Sequence, residues 1–137
     1  MNKISNKLKF LMLIFKTGAV AGRKFSGQGL GFGDLAVLYA ISQAPEGKIR
    51  RTDLAEAVGL TASGVTRLLV PLEKIGVVKR EAHERDARAS YVVMTKAGKE
   101  LFENALALAE MRCADLIPDE QAKNIEAVNT LLSSIMQ

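Results

Sequence analysis

The chain has 137 residues, which fits one domain or one core with dimerising arms. A composition of 48% hydrophobic and 25% charged residues excludes wholesale disorder, and no segment is long enough to span a membrane. The net charge of +4 does not by itself indicate a nucleic-acid partner.

One cysteine and one histidine limit the chemistry further. Cys113 cannot form an intrachain disulfide, which favours a reducing, cytoplasmic location. With His83 as the only histidine, one chain cannot assemble a multi-histidine or Cys/His metal site. The basic N-terminus followed by residues 10–15 is too short in its apolar part for a signal peptide. We therefore expect neither a metal nor a cofactor.

The charge is unevenly distributed along the chain. Between Lys48 and Lys96 basic residues outnumber acidic ones, whereas after Ala97 the acidic residues are in excess. A basic middle and an acidic end indicate that one part of the chain faces a polyanion and another part does not.

Two helices are predicted in the first third of the chain. Apolar residues at spacings of four, three and four mark the first helix as one that packs on another helix: Ile4, Leu8, Leu11 and Phe15. Alternate glycines at positions 27, 29, 31 and 33 end it, and Gly31–Asp34 is a weak start for the next helix. This second helix carries Leu35, Leu38, Tyr39 and Ile41 and ends at Pro45 and Gly47.

Three short elements follow. Thr52 is the expected N-cap of a helix through Val58, and Thr61 that of a helix to about Ile75. The β-branched segments Val77–Arg80 and Ser90–Met94 predict a hairpin around a charged loop, residues 81–89.

Two helices are predicted at the C-terminal end. Thr95 is the expected cap of a helix from Lys96 to Leu116, and Pro118 marks the first turn of a last helix. Ile125, Val128, Leu132 and Ile135 give this last helix an apolar seam. The seams at both ends fit packing within one chain as well as dimerisation. We expect Cys113 to be a small core residue.

Residues 52–75 carry the helix-turn-helix pattern. Ala55 is small where a second helix must approach, Gly59 supplies the turn, and Val65 must face the core. Leu54, Val58 and Leu60 are expected to complete the apolar contacts. One face of the second helix is apolar, from Val65 to Ile75. A pair of helices that binds nothing is the alternative interpretation.

The opposite face of that helix is short, polar and basic at its N-terminal end. Ala62, Ser63, Thr66 and Arg67 lie there, and a major groove accepts such small or hydrogen-bonding side chains. Gly64 would permit close approach of the backbone to DNA, although a packing role is the alternative.

The hairpin loop carries Arg85 and Arg88 on either side of Asp86. A projecting loop of this kind can place an arginine in a minor groove, with Asp86 orienting a neighbouring arginine. A solvated surface loop is the alternative.

Together these motifs resemble the MarR (multiple antibiotic resistance regulator) family of winged-helix regulators. The resemblance rests on L-T-A-S-G-V-T-R-L-L, L-E-K-I-G-V-V-K-R, R-D-A-R and V-M-T-K-A-G. It implies a dimer held by the first helix and the last two, a palindromic operator, DNA contacts by Ser63, Thr66 and Arg67, and a wing role for Arg88. It further implies release of DNA by a small phenolic or lipophilic effector. Val70 and Pro71 depart from the family pattern, and Pro71 predicts a bend.

We therefore expect a mainly α protein with a small β-wing: a winged helix-turn-helix with N- and C-terminal dimerisation helices. The single domain would have dimerisation helices at about 3–26 and 96–136 and a DNA-binding lobe at about 48–95. The expected function is that of a cytoplasmic, ligand-responsive repressor that binds a palindromic operator as a homodimer, and not that of an enzyme. A winged-helix module for protein–protein interaction is the alternative. The DNA-binding residues are predicted to be Thr61, Ala62, Ser63, Gly64, Thr66, Arg67, Arg85, Asp86 and Arg88.

Overall fold

The structure, a computed structural model, describes residues 2–25, 29–86 and 88–137. These residues contain six α-helices, three short strands and two 3-10 turns. In chain order the elements are α1 (Asn6–Lys24), α2 (Phe32–Gln43), a 3-10 turn (Pro45–Gly47), β1 (Ile49–Arg50), α3 (Arg51–Val58), α4 (Ala62–Lys74), β2 (Val78–Ala82), β3 (Ser90–Met94), α5 (Lys96–Leu116), a 3-10 turn (Asp119–Gln121) and α6 (Ala122–Ile135). The predicted fold class, mainly α with a small β-wing, is confirmed.

The chain forms two compact units, residues 1–106 and 107–137. The first contains α1 to β3 and the beginning of α5, and the second contains the end of α5 and α6. The predicted division into dimerisation helices and a DNA-binding lobe concerns function, and it remains a prediction.

The core of the first unit joins α2 to the helix-turn-helix. Val37, Leu38 and Ile41 of α2, Leu54 of α3 and Val65 of α4 are at most 1% exposed. Burying an aliphatic side chain of this size stabilises a fold by about 1.5–3 kcal/mol. Apolar burial in this cluster therefore holds α3 and α4 against α2 without help from hydrogen bonds or ion pairs.

The sheet has the strand order β1-β3-β2, and both pairings are antiparallel. The predicted bounds of β3 are confirmed, whereas β2 begins at Val78 and reaches Ala82, two residues beyond the predicted end. The ladder extends because Glu81 pairs with Tyr91 and Ala82 with Ser90. The connecting loop is therefore residues 83–89, which we call the wing loop.

Two of the three predicted threonine caps are confirmed. The hydroxyl of Thr61 accepts the N–H of Gly64 at 3.0 Å, and that of Thr95 accepts the N–H of Gly98 at 3.0 Å. The prediction for Thr52 is wrong, because α3 begins at Arg51 with Arg50 as its N-cap residue. Pairing of Arg50 with Tyr91 ends the extended segment at Arg50, and this sheet contact overrides the local capping preference.

The start of α2 is stronger than the sequence indicated. Gly31 has no side chain to cap the helix, but the carboxylate of Asp34 accepts its N–H at 2.8 Å. Further along, α4 continues through Pro71 to Lys74. Gln28 and Gly27, within the predicted glycine-rich break, lie outside the described residues.

The prediction that Cys113 is a core residue is wrong, because its side chain is exposed. The buried stripe of α5 contains Phe102, Ala105 and Ala109 and ends there. Pro118 precedes a 3-10 turn, so α6 itself begins at Ala122.

Candidate DNA interface

The turn between α3 and α4 has the geometry that the helix-turn-helix pattern predicts. Ala55 is 6% exposed, and Gly59 adopts a left-handed conformation with φ of 71°. The N–H of Leu60 donates to the carbonyl of Ala55 at 2.9 Å, which closes the end of α3. Leu60 itself is 43% exposed and does not supply the apolar contact expected of it.

The residues predicted for the polar face of α4 lie at the surface of the first unit. Ala62, Ser63 and Arg67 are exposed, and Thr66 is half-buried. The hydroxyl of Thr66 donates to the carbonyl of Ala62 at 3.0 Å, which leaves its oxygen free to accept from a ligand. Ser63 lies 3.2 Å from the capping hydroxyl of Thr61. The first two turns of α4 thus combine hydroxyl groups with one guanidinium.

Gly64 has a local reason to be glycine. A Cβ built at this position would lie 3.2 Å from the hydroxyl oxygen of Thr61 and 3.6 Å from Leu60. The first distance is tight, so a side chain here would press on the N-cap of α4. This contact supports the packing interpretation of Gly64, while close approach to DNA stays a prediction.

The wing loop is held by its own polar groups. The carboxylate of Asp86 accepts the main-chain N–H of Arg88 at 2.9 Å, and the N–H of Ala89 donates to the carbonyl of Asp86 at 3.1 Å. Asp86 was expected to orient an arginine side chain, whereas the bond observed is to the main chain. Arg85, Asp86 and Arg88 are exposed, and Ala87 lies outside the described residues.

The predicted site residues therefore form two groups on the first unit. Thr61, Ala62, Ser63, Gly64, Thr66 and Arg67 share the N-terminal half of α4, and Arg85, Asp86 and Arg88 share the wing loop.

A cluster at the base of the wing loop was not predicted. The ring of His83 stacks on Tyr91 with a centroid distance of 5.1 Å, and its Nε2 lies 2.9 Å from a guanidinium nitrogen of Arg50. An open groove of about 1170 Å³ adjoins this cluster and is lined, among others, by Tyr39, Gln43, Arg50, Asp53, His83 and Tyr91. Arg50 and His83 are 33 residues apart, so no spacing rule could have connected them.

An ion pair also connects the wing to the segment before α3. Lys48 donates a hydrogen bond to Glu81. This bond raises the pKa of Lys48 and lowers that of Glu81, since each charge stabilises the other.

The described part of the chain contains no group of three or more His, Cys, Asp or Glu side chains placed to hold a metal ion. Among its helices, none combines the length and the apolar character needed to cross a membrane.

Comparison with known proteins gives a match to one family model and similarity to transcriptional regulators. Residues 28–89 match the sequence model of the MarR family. The HTH-type transcriptional repressor YetL of Bacillus subtilis is 31% identical over 91 residues, which cover 66% of this chain and 54% of YetL. The chain spans 54% to 59% of the lengths of the curated relatives compared.

Solved structures match over nearly the whole chain. The transcriptional regulator BldR from Sulfolobus solfataricus is 25% identical with a TM-score of 0.82, and the match covers 98% of this chain and 99% of BldR. Sco3205 from Streptomyces coelicolor, a MarR family regulator solved in complex with DNA, is 18% identical with a TM-score of 0.75. The match covers 100% of this chain and 92% of Sco3205. The fold is therefore shared along the full length of the chain.

Proposed function

We propose that the chain is a MarR family transcriptional regulator that binds double-stranded DNA, because residues 28–89 match the family model and the fold is similar to that of MarR family regulators. The observation that carries this proposal is the polar face of α4. Ser63, Thr66 and Arg67 lie within two turns of a capped helix N-terminus, on a helix whose other face is anchored by Val65. A helix held in this way can enter a major groove without losing its core contacts.

The wing loop adds a second contact. Arg85 and Arg88 are exposed on a loop whose main chain is fixed by Asp86. Such arginines can enter the minor groove, where the potential is most negative, or bind phosphates. Base contacts from α4 would give specificity, and Lys and Arg contacts to phosphates would give much of the affinity.

The proposed regulator acts as a homodimer on a palindromic operator. Leu8, Leu11, Met12 and Phe15 of α1 are 42% to 83% exposed, and Ile125, Val128, Leu131 and Ile135 of α6 are 37% to 50% exposed. Apolar faces of this extent on soluble proteins mark interaction sites. A second copy of the same chain would cover them and would set two copies of α4 at a fixed spacing.

We further propose that the protein represses transcription and is released from DNA by a small phenolic or lipophilic effector. YetL, which matches 66% of this chain, is itself a repressor. The groove beside the wing loop is large enough for such a molecule and has both aromatic and charged walls.

Selection from random DNA duplexes at two salt concentrations tests the proposal directly. Enrichment of a palindrome with half-sites about one helical turn apart is expected. Weak, salt-sensitive binding without an enriched motif would leave only attraction to phosphate. A winged-helix module for protein–protein interaction would then be the better account.

Two alanine variants extend this test to single residues. Arg67→Ala and Arg88→Ala should each weaken binding to the enriched duplex by about 1–3 kcal/mol without unfolding the protein. Lys123→Ala, which removes the same charge from α6, is the matched control and should have little effect. Unchanged affinity in either arginine variant would remove that residue from the interface.

A further inference from the structure

His83 lies at the point where β2 becomes the wing loop. Its Nδ1 is 3.1 Å from the main-chain nitrogen of Arg85 and 3.1 Å from that of Asp86, and both N–H groups donate to it. On its other side the ring stacks on Tyr91 of β3. The imidazole therefore connects the main chain of the wing loop to the sheet.

Both ring nitrogens of His83 face N–H donors. Nδ1 faces the main-chain groups of Arg85 and Asp86, and Nε2 lies 2.9 Å from a guanidinium nitrogen of Arg50. A neutral imidazole accepts at one nitrogen and donates at the other, whereas a guanidinium only donates. Because two N–H groups point at Nδ1, we assign the acceptor to Nδ1 and the ring proton to Nε2. In this tautomer the approach of the exposed Arg50 side chain to Nε2 is a contact and not a hydrogen bond.

The contacts of His83 continue to both wing arginines. The N–H of Arg85 is bonded to the ring directly. The N–H of Asp86 is bonded to the same ring atom, and the Asp86 carboxylate then accepts the N–H of Arg88. The N–H of His83 donates to the carbonyl of Ala89 at 3.3 Å and closes the base of the loop. The main chain at both arginines is therefore held by bonds that begin at one side chain.

We propose that His83 is the positioning residue of the wing, which holds Arg85 and Arg88 in the conformation that contacts DNA. This inference rests on the proposed function, because it assumes that the wing arginines bind DNA. His83 itself acts through the main chain of the loop. Its role is distinct from a general contribution to stability, since the bonds it accepts lie in the loop and not in the core.

Two nearly isosteric substitutions separate positioning from folding. In His83→Asn the amide oxygen can take the place of Nδ1 and accept the same two N–H groups, as in the turns that asparagine commonly forms. In His83→Gln the longer side chain places its oxygen near the position of Nε2 instead. His83→Leu removes the acceptor altogether. Thermal unfolding of all three variants checks that the fold is retained.

The first measurement needs no DNA. Water-exchange rates and backbone order parameters from NMR are recorded for the amides of Arg85 and Asp86. We expect the wild-type protein and His83→Asn to share slow exchange and high order. Faster exchange and lower order are expected in His83→Gln and His83→Leu. Equal values in all four proteins would overturn the proposal.

The second measurement is a double-mutant cycle on the duplex enriched from random DNA. Arg88→Ala should weaken binding about 5- to 150-fold in the wild-type background, the equivalent of about 1–3 kcal/mol. In the His83→Leu background the same substitution should have little further effect. Arg67→Ala on α4 is the control and should weaken both backgrounds equally. Full additivity of His83→Leu and Arg88→Ala would overturn the proposed action on DNA.

The two measurements keep the two proposals distinguishable. If the wild-type protein enriches no sequence and Arg67→Ala has no effect, the proposed DNA-binding function fails. The NMR comparison then still decides whether His83 orders the wing loop: a difference between His83→Asn and His83→Gln supports that role, and no difference overturns it.

Discussion

Gly98 shows how one residue fixes the junction between the sheet and α5. The N–H of Thr95 donates to the carbonyl of Val77 at 3.0 Å, and the Thr95 hydroxyl caps α5 through the N–H of Gly98. A Cβ built on Gly98 would overlap the carbonyl oxygen of Val77. Because that oxygen belongs to the backbone and is already bonded, it cannot move aside cheaply. Glycine is therefore required here by contact and not by backbone conformation.

We predict that Gly98→Ala lowers the free energy of unfolding by about 1–3 kcal/mol or more, the range found for overpacked interiors. Urea unfolding monitored by circular dichroism measures the loss. Ala97→Gly, at the exposed neighbouring position, is the control and should lose no more than about 1 kcal/mol. Helix propensity alone would make Gly98→Ala slightly more stable than the wild-type protein, so an unchanged or raised free energy of unfolding would contradict the proposed overlap with Val77.

At the scale of elements, the wing is secured at its base by contacts from three directions. β3 pairs with both β1 and β2, Lys48 reaches Glu81, and Tyr91 supports the ring of His83. The pairing of β1 with β3 and the bond between Lys48 and Glu81 bridge segments that are far apart in the chain, whereas His83 and Tyr91 belong to the same hairpin. The position of the wing relative to β1 therefore depends on the sheet and its side chains together.

The Lys48–Glu81 pair predicts a defined pH dependence of stability. The pKa of Glu81 is lowered from 4.5 by its bond to Lys48, so its contribution is present above pH 4.5 and is lost as the pH falls through the lower folded value. The pKa of Lys48 is raised from 10.5, so its contribution is present below pH 10.5 and is lost as the pH rises through the higher folded value.

Urea unfolding of the wild-type protein and of Glu81→Gln over a pH series measures this contribution. The difference in the free energy of unfolding between the two proteins should be constant from pH 4.5 to 10.5. It should decrease below and above this range. It should also decrease with added salt, since both side chains are partly exposed. Glu126→Gln on α6 is a control with an exposed carboxylate. If the difference in the free energy of unfolding did not change with pH, the effect of Glu81→Gln would come from packing and not from the ion pair.

At the scale of the whole molecule, one chain leaves the apolar faces of α1 and α6 exposed to solvent. Phe15 is 83% exposed and Leu131 is 47% exposed. Side chains of this size are stabilised by about 1.5–3 kcal/mol when they are removed from water. Association of two chains through these helices would supply that energy, and it would also double the number of DNA contacts.

We predict that Phe15→Glu and Leu131→Glu each shift the protein from dimer to monomer, because a carboxylate would be buried without a partner. Sedimentation equilibrium measures the association constant. Leu60→Glu, an equally drastic change at a 43% exposed position on the turn before α4, should leave association unchanged. A wild-type protein that sediments as a monomer would contradict the proposed assembly, as would dimers of both glutamate variants.

The elements whose determinants are local were predictable from the sequence. The caps at Thr61 and Thr95, the turn at Gly59 and the burial of Ala55 and Val65 all follow from residue type and from spacing within one helix or turn. Capping and helical periodicity act over three or four residues, so a sequence pattern contains all of the interacting groups. The fold class was correctly predicted from these signals together with the resemblance to the MarR family.

Contacts between distant segments were decided by the tertiary structure alone. Arg50 and not Thr52 is the N-cap residue of α3, because β1 pairs with β3 up to Arg50. Cys113 is exposed because the buried stripe of α5 ends at Ala109. The sequence by itself determined which segments form the helix-turn-helix and, apart from the exposed Leu60, which of its residues face outward. Only packing brought Arg50 to the hairpin that carries His83 and Tyr91, because a contact across 33 residues depends on how the chain closes and not on any local preference.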